Sequence, residues 1–76
     1  MNANALKGYI ISRGFTIEKL VEELNKNNVS ISKNTFYRNL KGEQQFDRIE
    51  ILMISKILRM TDEDIMNIFF NEKVSF

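Results

Sequence analysis

Between Ser32 and Gly42 the chain reads Ser-Lys-Asn-Thr-Phe-Tyr-Arg-Asn-Leu-Lys-Gly. At about 100° per residue, a helix over this stretch places Asn34, Tyr37, Arg38 and Lys41 on one face, at i, i+3, i+4 and i+7. Phe36 and Leu40 share the opposite side, one turn apart. The outer face then carries an amide, a phenol, a guanidinium and an ammonium, and no group that can become a carboxylate. Such a set suits a nucleic-acid duplex. An amide can bond an adenine edge in two places, a guanidinium a guanine edge, and a phenol or ammonium can reach phosphate oxygens. From Leu24 to Lys41 the chain has Lys26, Lys33, Arg38 and Lys41 and no acid. The competing reading of these residues is an ordinary solvated helix surface, where Lys, Arg and Asn commonly face water.

The whole-chain charge says less than its placement. With Lys and Arg totalling 11 against 10 acids, the net charge is +1, too small to argue for an anionic partner. The 76 residues, 43% of them hydrophobic, suit a single domain over 1–76 with a modest core. The chain contains no cysteine and no histidine, so it lacks a disulfide framework, a thiolate nucleophile and the commonest general base. No converging carboxylate pair and no phosphate-cradling glycine loop is present either, and no catalytic residue, cofactor or small-molecule substrate is expected. Asp62, Glu63 and Asp64 are adjacent, but consecutive helical residues point in different directions, so a metal site is not expected there. The longest apolar run, Ile51 to Ile54, is far short of the roughly 20 residues of a membrane span, and the N-terminus lacks a signal-peptide apolar core. A soluble, cytoplasmic protein is the expectation.

The elements that must position these side chains are all helical. Proline is absent, and Gly14 and Gly42 stand where helices should stop. Leu6, Tyr9, Ile10 and Arg13 have helical spacing and predict a first helix over Ala3 to Arg13. Thr16 is a good N-cap for a second, with Glu18 in its first turn and Ile17, Leu20, Val21 and Leu24 as its apolar stripe to about Lys26. The segment from Asn25 to Ser30 is rich in turn formers, with Val29 and Ile31 tucking the connection onto the core. Ser32 can cap the third helix, over 33–41, and Gly42 can end it. Phe46 is one buried aromatic in the following loop. Asp47 with Glu50 has capping-box spacing and opens a fourth helix, Arg48 to Arg59; Thr61 with Asp64 repeats that spacing before a fifth, whose core stripe is Ile65, Ile68 and Phe69. Phe70 to Phe76 is a tail, with Val74 and Phe76 able to pack or fray.

The order of these pieces resembles the phage lambda-repressor-like, or Xre, family of helix-turn-helix DNA-binding domains. The resemblance runs through Leu6 to Gly14, Phe15-Thr16-Ile17-Glu18-Lys19-Leu20, Ile31 to Arg38, Gly42, Phe46, Ile51 to Leu58 and Thr61-Asp62-Glu63-Asp64-Ile65. It implies a compact five-helix all-α domain with a helix-turn-helix unit at about 16–42, and a sequence-specific transcriptional regulator of duplex DNA. By position, Lys33, Asn34, Tyr37 and Arg38 match base-reading or groove-lining residues of a helix in the major groove, and Thr16 and Lys41 match phosphate contacts. Two departures stand out. Ile17 occupies a place where the family often has a glutamine, and the connection over 25–30 is longer than the usual tight turn.

The fourth helix is apolar on two sides. Ile51, Ile54 and Leu58 make one stripe with Ser55, while Ile49, Leu52 and Met53 lie round from it, an expected homodimer interface for a palindromic site unless the fifth helix and the Phe70 to Phe76 tail fold back over them. The alternative is a protein-binding module or anti-regulator that keeps the helix-turn-helix frame and uses the helix-four surface to grip another regulator.

Overall fold

Each helix begins at a residue whose side-chain oxygen accepts a backbone N–H from its own first turn. In the computed structural model, which describes residues 1–70, Asn2 opens α1 (Ala3–Ser12), Thr16 opens α2 (Ile17–Lys26) and Ser32 opens α3 (Lys33–Leu40). Asp47 opens α4 (Arg48–Leu58) and Thr61 opens α5 (Asp62–Phe69), and both close a full capping box, with Glu50 and Asp64 bonding back to the cap N–H. The described residues hold these helices and no strand. The tail over 71–76, with Val74 and Phe76, lies outside the described residues.

The first four helices also stop by a shared device. Gly14, Asn28, Gly42 and Arg59 have φ of +81°, +65°, +84° and +54°, and the residue after each bonds back into the last turn: Phe15 N–H to Ile10, Val29 to Leu24, Glu43 to Arg38 and Met60 to Ser55. This left-handed stop satisfies carbonyls that a helix end would otherwise orphan. It also explains why α1, α3 and α4 are each one residue shorter than the periodicity predicts, since Arg13, Lys41 and Arg59 become C-caps. At α2 the stop falls on Asn28, and the Asn25 side chain ties the connection down by donating to the Val21 carbonyl (2.8 Å) and the Ile31 carbonyl (2.9 Å). The long connection is thus an ordered one, with Val29 and Ile31 both buried.

All five helices feed one hydrophobic cluster. Leu6 and Ile10 come from α1, Leu20 and Leu24 from α2, Phe36 and Leu40 from α3, Ile54 and Leu58 from α4, and Ile68 and Phe69 from α5. Phe36 has no exposed surface. Its ring meets Phe46 edge-on at 5.0 Å, and Phe46 meets Phe69 edge-on at 6.0 Å, so an aromatic ladder runs from α3 through the following loop to α5. Packing pairs α2 with both α3 and α4, and α1 with α5. A polar clasp reinforces the last pair. The Tyr9 hydroxyl donates to Asp64 Oδ2 (3.0 Å), and Arg13 Nη2 donates to the Tyr9 oxygen (2.6 Å) while its guanidinium stands over the Tyr9 ring. Asp64 is therefore committed to its cap and to Tyr9, and its carboxyl is held below the usual aspartate range chiefly by the Thr61 backbone and side chain.

No described helix is long and apolar enough to cross a membrane.

Phe36→Ala is expected to cost about 3 to 5 kcal/mol, the usual range for emptying a buried aromatic site. That is a large part of the stability of so small a domain. Thermal melting followed by circular dichroism checks it; an unchanged midpoint would show that Phe36 does not anchor α3.

Candidate nucleic-acid interface

The face of α3 opposite Phe36 is set by that anchor. With Phe36, Asn39 and Leu40 buried, Lys33, Asn34, Tyr37, Arg38 and Lys41 are all exposed. Tyr37 keeps 38% of its surface in solvent. Among the described residues, Asn34, Tyr37 and Lys41 make no side-chain hydrogen bond and no ion pair. Their donors and acceptors are free for another molecule.

Lys33 and Arg38 differ from these. Lys33 Nζ donates to Glu18 Oε1 at 2.8 Å, joining the first turn of α3 to the first turn of α2. This contact holds the Glu18 carboxyl below the ordinary glutamate value and raises the Lys33 ammonium, in both cases through the hydrogen bond first and charge attraction second. Arg38 Nε lies 3.9 Å from Glu43 Oε1, too far for a hydrogen bond, so the outer edge of the guanidinium is not engaged. A segment with no acid along the chain is therefore not free of acids in space. Lys26 also has an acid near it, Glu23 at 3.7 Å. Lys41 is the cation of the stretch with no such neighbour among the described residues.

Thr16 stands beside this face, at the start of α2. Its Oγ1 accepts the Lys19 N–H at 3.1 Å, which leaves the hydroxyl proton able to donate outward. A shallow groove of about 300 Å³ separates it from α3, lined by Lys7, Ile11, Phe15, Thr16, Ile17 and Tyr37 among others. Ile17 is half-buried and packed against the core; it supplies an apolar floor where a glutamine would supply an amide.

The α4 surface divides. Ile49 and Leu52 are 66% and 55% exposed and stand one turn apart. Met53 does not join them: it is half-buried and packs against the core with Ile57, four residues on. The exposed apolar patch on α4 is Ile49 with Leu52.

By sequence alone Glu18 is a first-turn acid of α2 with no assigned partner, and Asn39 and Glu43 carry no role. Asn39 is 2% exposed, and its Oδ1 is buried with no partner among the described residues. It lines a cavity of about 530 Å³ with Lys41, Gln44, Phe46 and Phe69. No signal in the sequence separates this asparagine from the exposed one at position 34 except its place on the Phe36 side of the helix. No family model, curated protein or solved structure matches the chain.

The pairing of Glu18 with Lys33 has a fixed pH signature. Because Glu18 is lowered, its part of the attraction is complete above the ordinary glutamate range and is lost as pH falls through the depressed value. Because Lys33 is raised, its part is complete below the ordinary lysine value and is lost as pH rises through the elevated one. In Lys33→Gln, the Glu18 carboxyl should titrate at higher pH than in the wild type, as followed by carbon-13 NMR. An unchanged midpoint would mean that the pair does not form in solution.

Proposed function

We propose that this protein binds duplex DNA with sequence selectivity and acts as a transcriptional regulator, with α3 in the major groove. The observation that carries this reading is the outer face of α3. Asn34, Tyr37 and Lys41 have no partner within the described residues, and Arg38 keeps its outer edge free, while Phe36 and Leu40 on the other side fix the orientation of all of them. A helix is about the width of the major groove, and amide and guanidinium groups are the side chains best matched to adenine and guanine edges there. The resemblance to lambda-repressor-like domains supports the same assignment, with residues 16–42 as the helix-turn-helix unit and α2 across the backbone. Asn34, Tyr37 and Arg38 then read bases, and Lys33 stands at the same edge. Thr16 and Lys41 hold phosphate.

One such domain offers few base-reading side chains, and each mismatched pair costs only about 1 to 3 kcal/mol. Two-fold pairing doubles the contacts. We assign Ile49 and Leu52 to that pairing, because they are the exposed apolar side chains of α4. The same patch is what favours the second reading, a protein-binding module that uses α4 to hold another regulator. Selection of bound sites from random duplex DNA distinguishes the two. Enrichment of a common sequence supports the DNA reading, and recovery of unselected sequence supports the other.

On a selected site, Arg38→Ala and Asn34→Ala should each reduce discrimination by about 1 to 3 kcal/mol if the contact is bidentate. Lys41→Ala should instead weaken all sequences alike and lower the salt slope by about one unit. Binding isotherms on matched and scrambled duplexes check this; identical behaviour of the Arg38 and Lys41 variants would refute the division of roles.

Leu52→Glu tests the pairing, since an exposed position tolerates the charge without unfolding. Dimer formation and cooperative site binding should both disappear in sedimentation and titration, and the wild-type site should be palindromic with half-sites about one helical turn apart. A wild type that stays monomeric on its selected DNA contradicts the assignment.

A further inference from the structure

The contact between Glu18 and Lys33 changes what the proposed interface can do. We infer that Glu18 limits the hold of this protein on DNA: with Lys33 it forms a charge-neutral unit at the edge of the interface, so that Lys33 neither reads a base nor neutralises a phosphate. This rests on the duplex-binding reading above.

The geometry supplies the reasons. Glu18 Oε1 and Lys33 Nζ are 2.8 Å apart, with the two side chains 69% and 50% exposed respectively. They bridge the first turns of α2 and α3, the same ends that carry Thr16 and Asn34. Glu18 lines the same groove as Thr16, so a duplex backbone held at Thr16 passes close to its carboxylate. A surface ion pair of this kind contributes little to folding stability, because water and salt screen it. Its effect on a polyanion is of another order. Sequence-independent affinity comes from cations that displace condensed counterions from phosphate. A lysine already joined to a carboxylate brings no net charge to that exchange, whether the pair stays closed or opens beside the DNA.

Arg38 provides the contrast. Its acidic neighbour stands at 3.9 Å from Nε alone, and the two terminal nitrogens that would form a fork on guanine are not engaged. Lys41 makes no ion pair among the described residues. The cation of the face with no ion pair is therefore Lys41, with Arg38 partly offset by Glu43 and Lys33 cancelled by Glu18. The cancellation acts on every sequence equally, so it lowers the background of random-site occupancy without altering which bases are preferred.

Charge arithmetic makes the test sharp. The wild-type chain, Glu18→Gln, Lys33→Gln and the double variant are titrated onto a random-sequence duplex and onto a selected site, from about 50 to 200 mM salt. Circular dichroism melts first establish that all four fold alike, as exposed positions should. Glu18→Gln is expected to tighten binding to both duplexes and to steepen the salt dependence by about one unit, which is about fourfold in affinity across that range. The double variant, neutral at both positions, is expected to return to the wild-type slope and to keep the wild-type sequence preference. If Glu18→Gln leaves the slope unchanged, Glu18 does not limit binding and the inference is overturned. It is equally overturned if the double variant falls about one unit below wild type or loses discrimination at one base pair, since Lys33 would then be engaging DNA directly. If no variant binds any duplex, the DNA reading itself fails, and the inference goes with it.

Discussion

The burial of Phe36 is the constraint on which the rest of this molecule depends. A helix as short as Lys33–Leu40 is unstable on its own in water, because nucleation costs more than so few hydrogen bonds return. What holds it is one fully buried ring, edge-on to Phe46 and through Phe46 to Phe69, with Leu40 alongside. That contact fixes rotation about the helix axis as well as position. Turn α3 by one residue, about 100°, and Arg38 or Asn34 would leave solvent. The candidate face is a consequence of the core, and for that reason a change at Phe36 and a change at Arg38 belong to different kinds of experiment.

The electrostatics of the face follow from the tertiary packing. Eighteen residues without an acid, Leu24 to Lys41, would be a cationic strip if the chain were an isolated helix. Packing α3 on α2 brings Glu18 to Lys33, and the turn at Gly42 brings Glu43 towards Arg38. The outcome is a face that is polar and rich in donors but only modestly positive, in keeping with a net charge of +1.

Much of the architecture was legible in the residues. Helical periodicity and capping residues locate all five helices, and Thr16, Ser32, Asp47 and Thr61 cap as their types require. The inward side of α3 is read from Phe36 and Leu40 alone. Two features were not legible, for different physical reasons. The Glu18 contact joins residues 15 apart, and nothing local encodes it. A helical wheel sets Met53 beside Ile49 and Leu52, since it cannot tell an exposed flank from one covered by a neighbouring helix; in the fold Met53 packs on the core. The approach of Glu43 to Arg38 could have been read: a left-handed stop at Gly42 folds the next residue back onto the helix, and the Glu43 N–H bonds the Arg38 carbonyl at 3.0 Å.

The central claim is that α3 presents its outer face to duplex DNA. Its most direct test is a nitrogen-15 NMR titration of the whole chain with a duplex enriched from a random pool. The account predicts that the largest amide shifts fall at Thr16 and from Lys33 to Lys41, with side-chain perturbation of Asn34 and Arg38, while the buried amides of α4 stay in place. Shifts confined to Ile49, Leu52 and their neighbours on α4, or no shift at all, would contradict it.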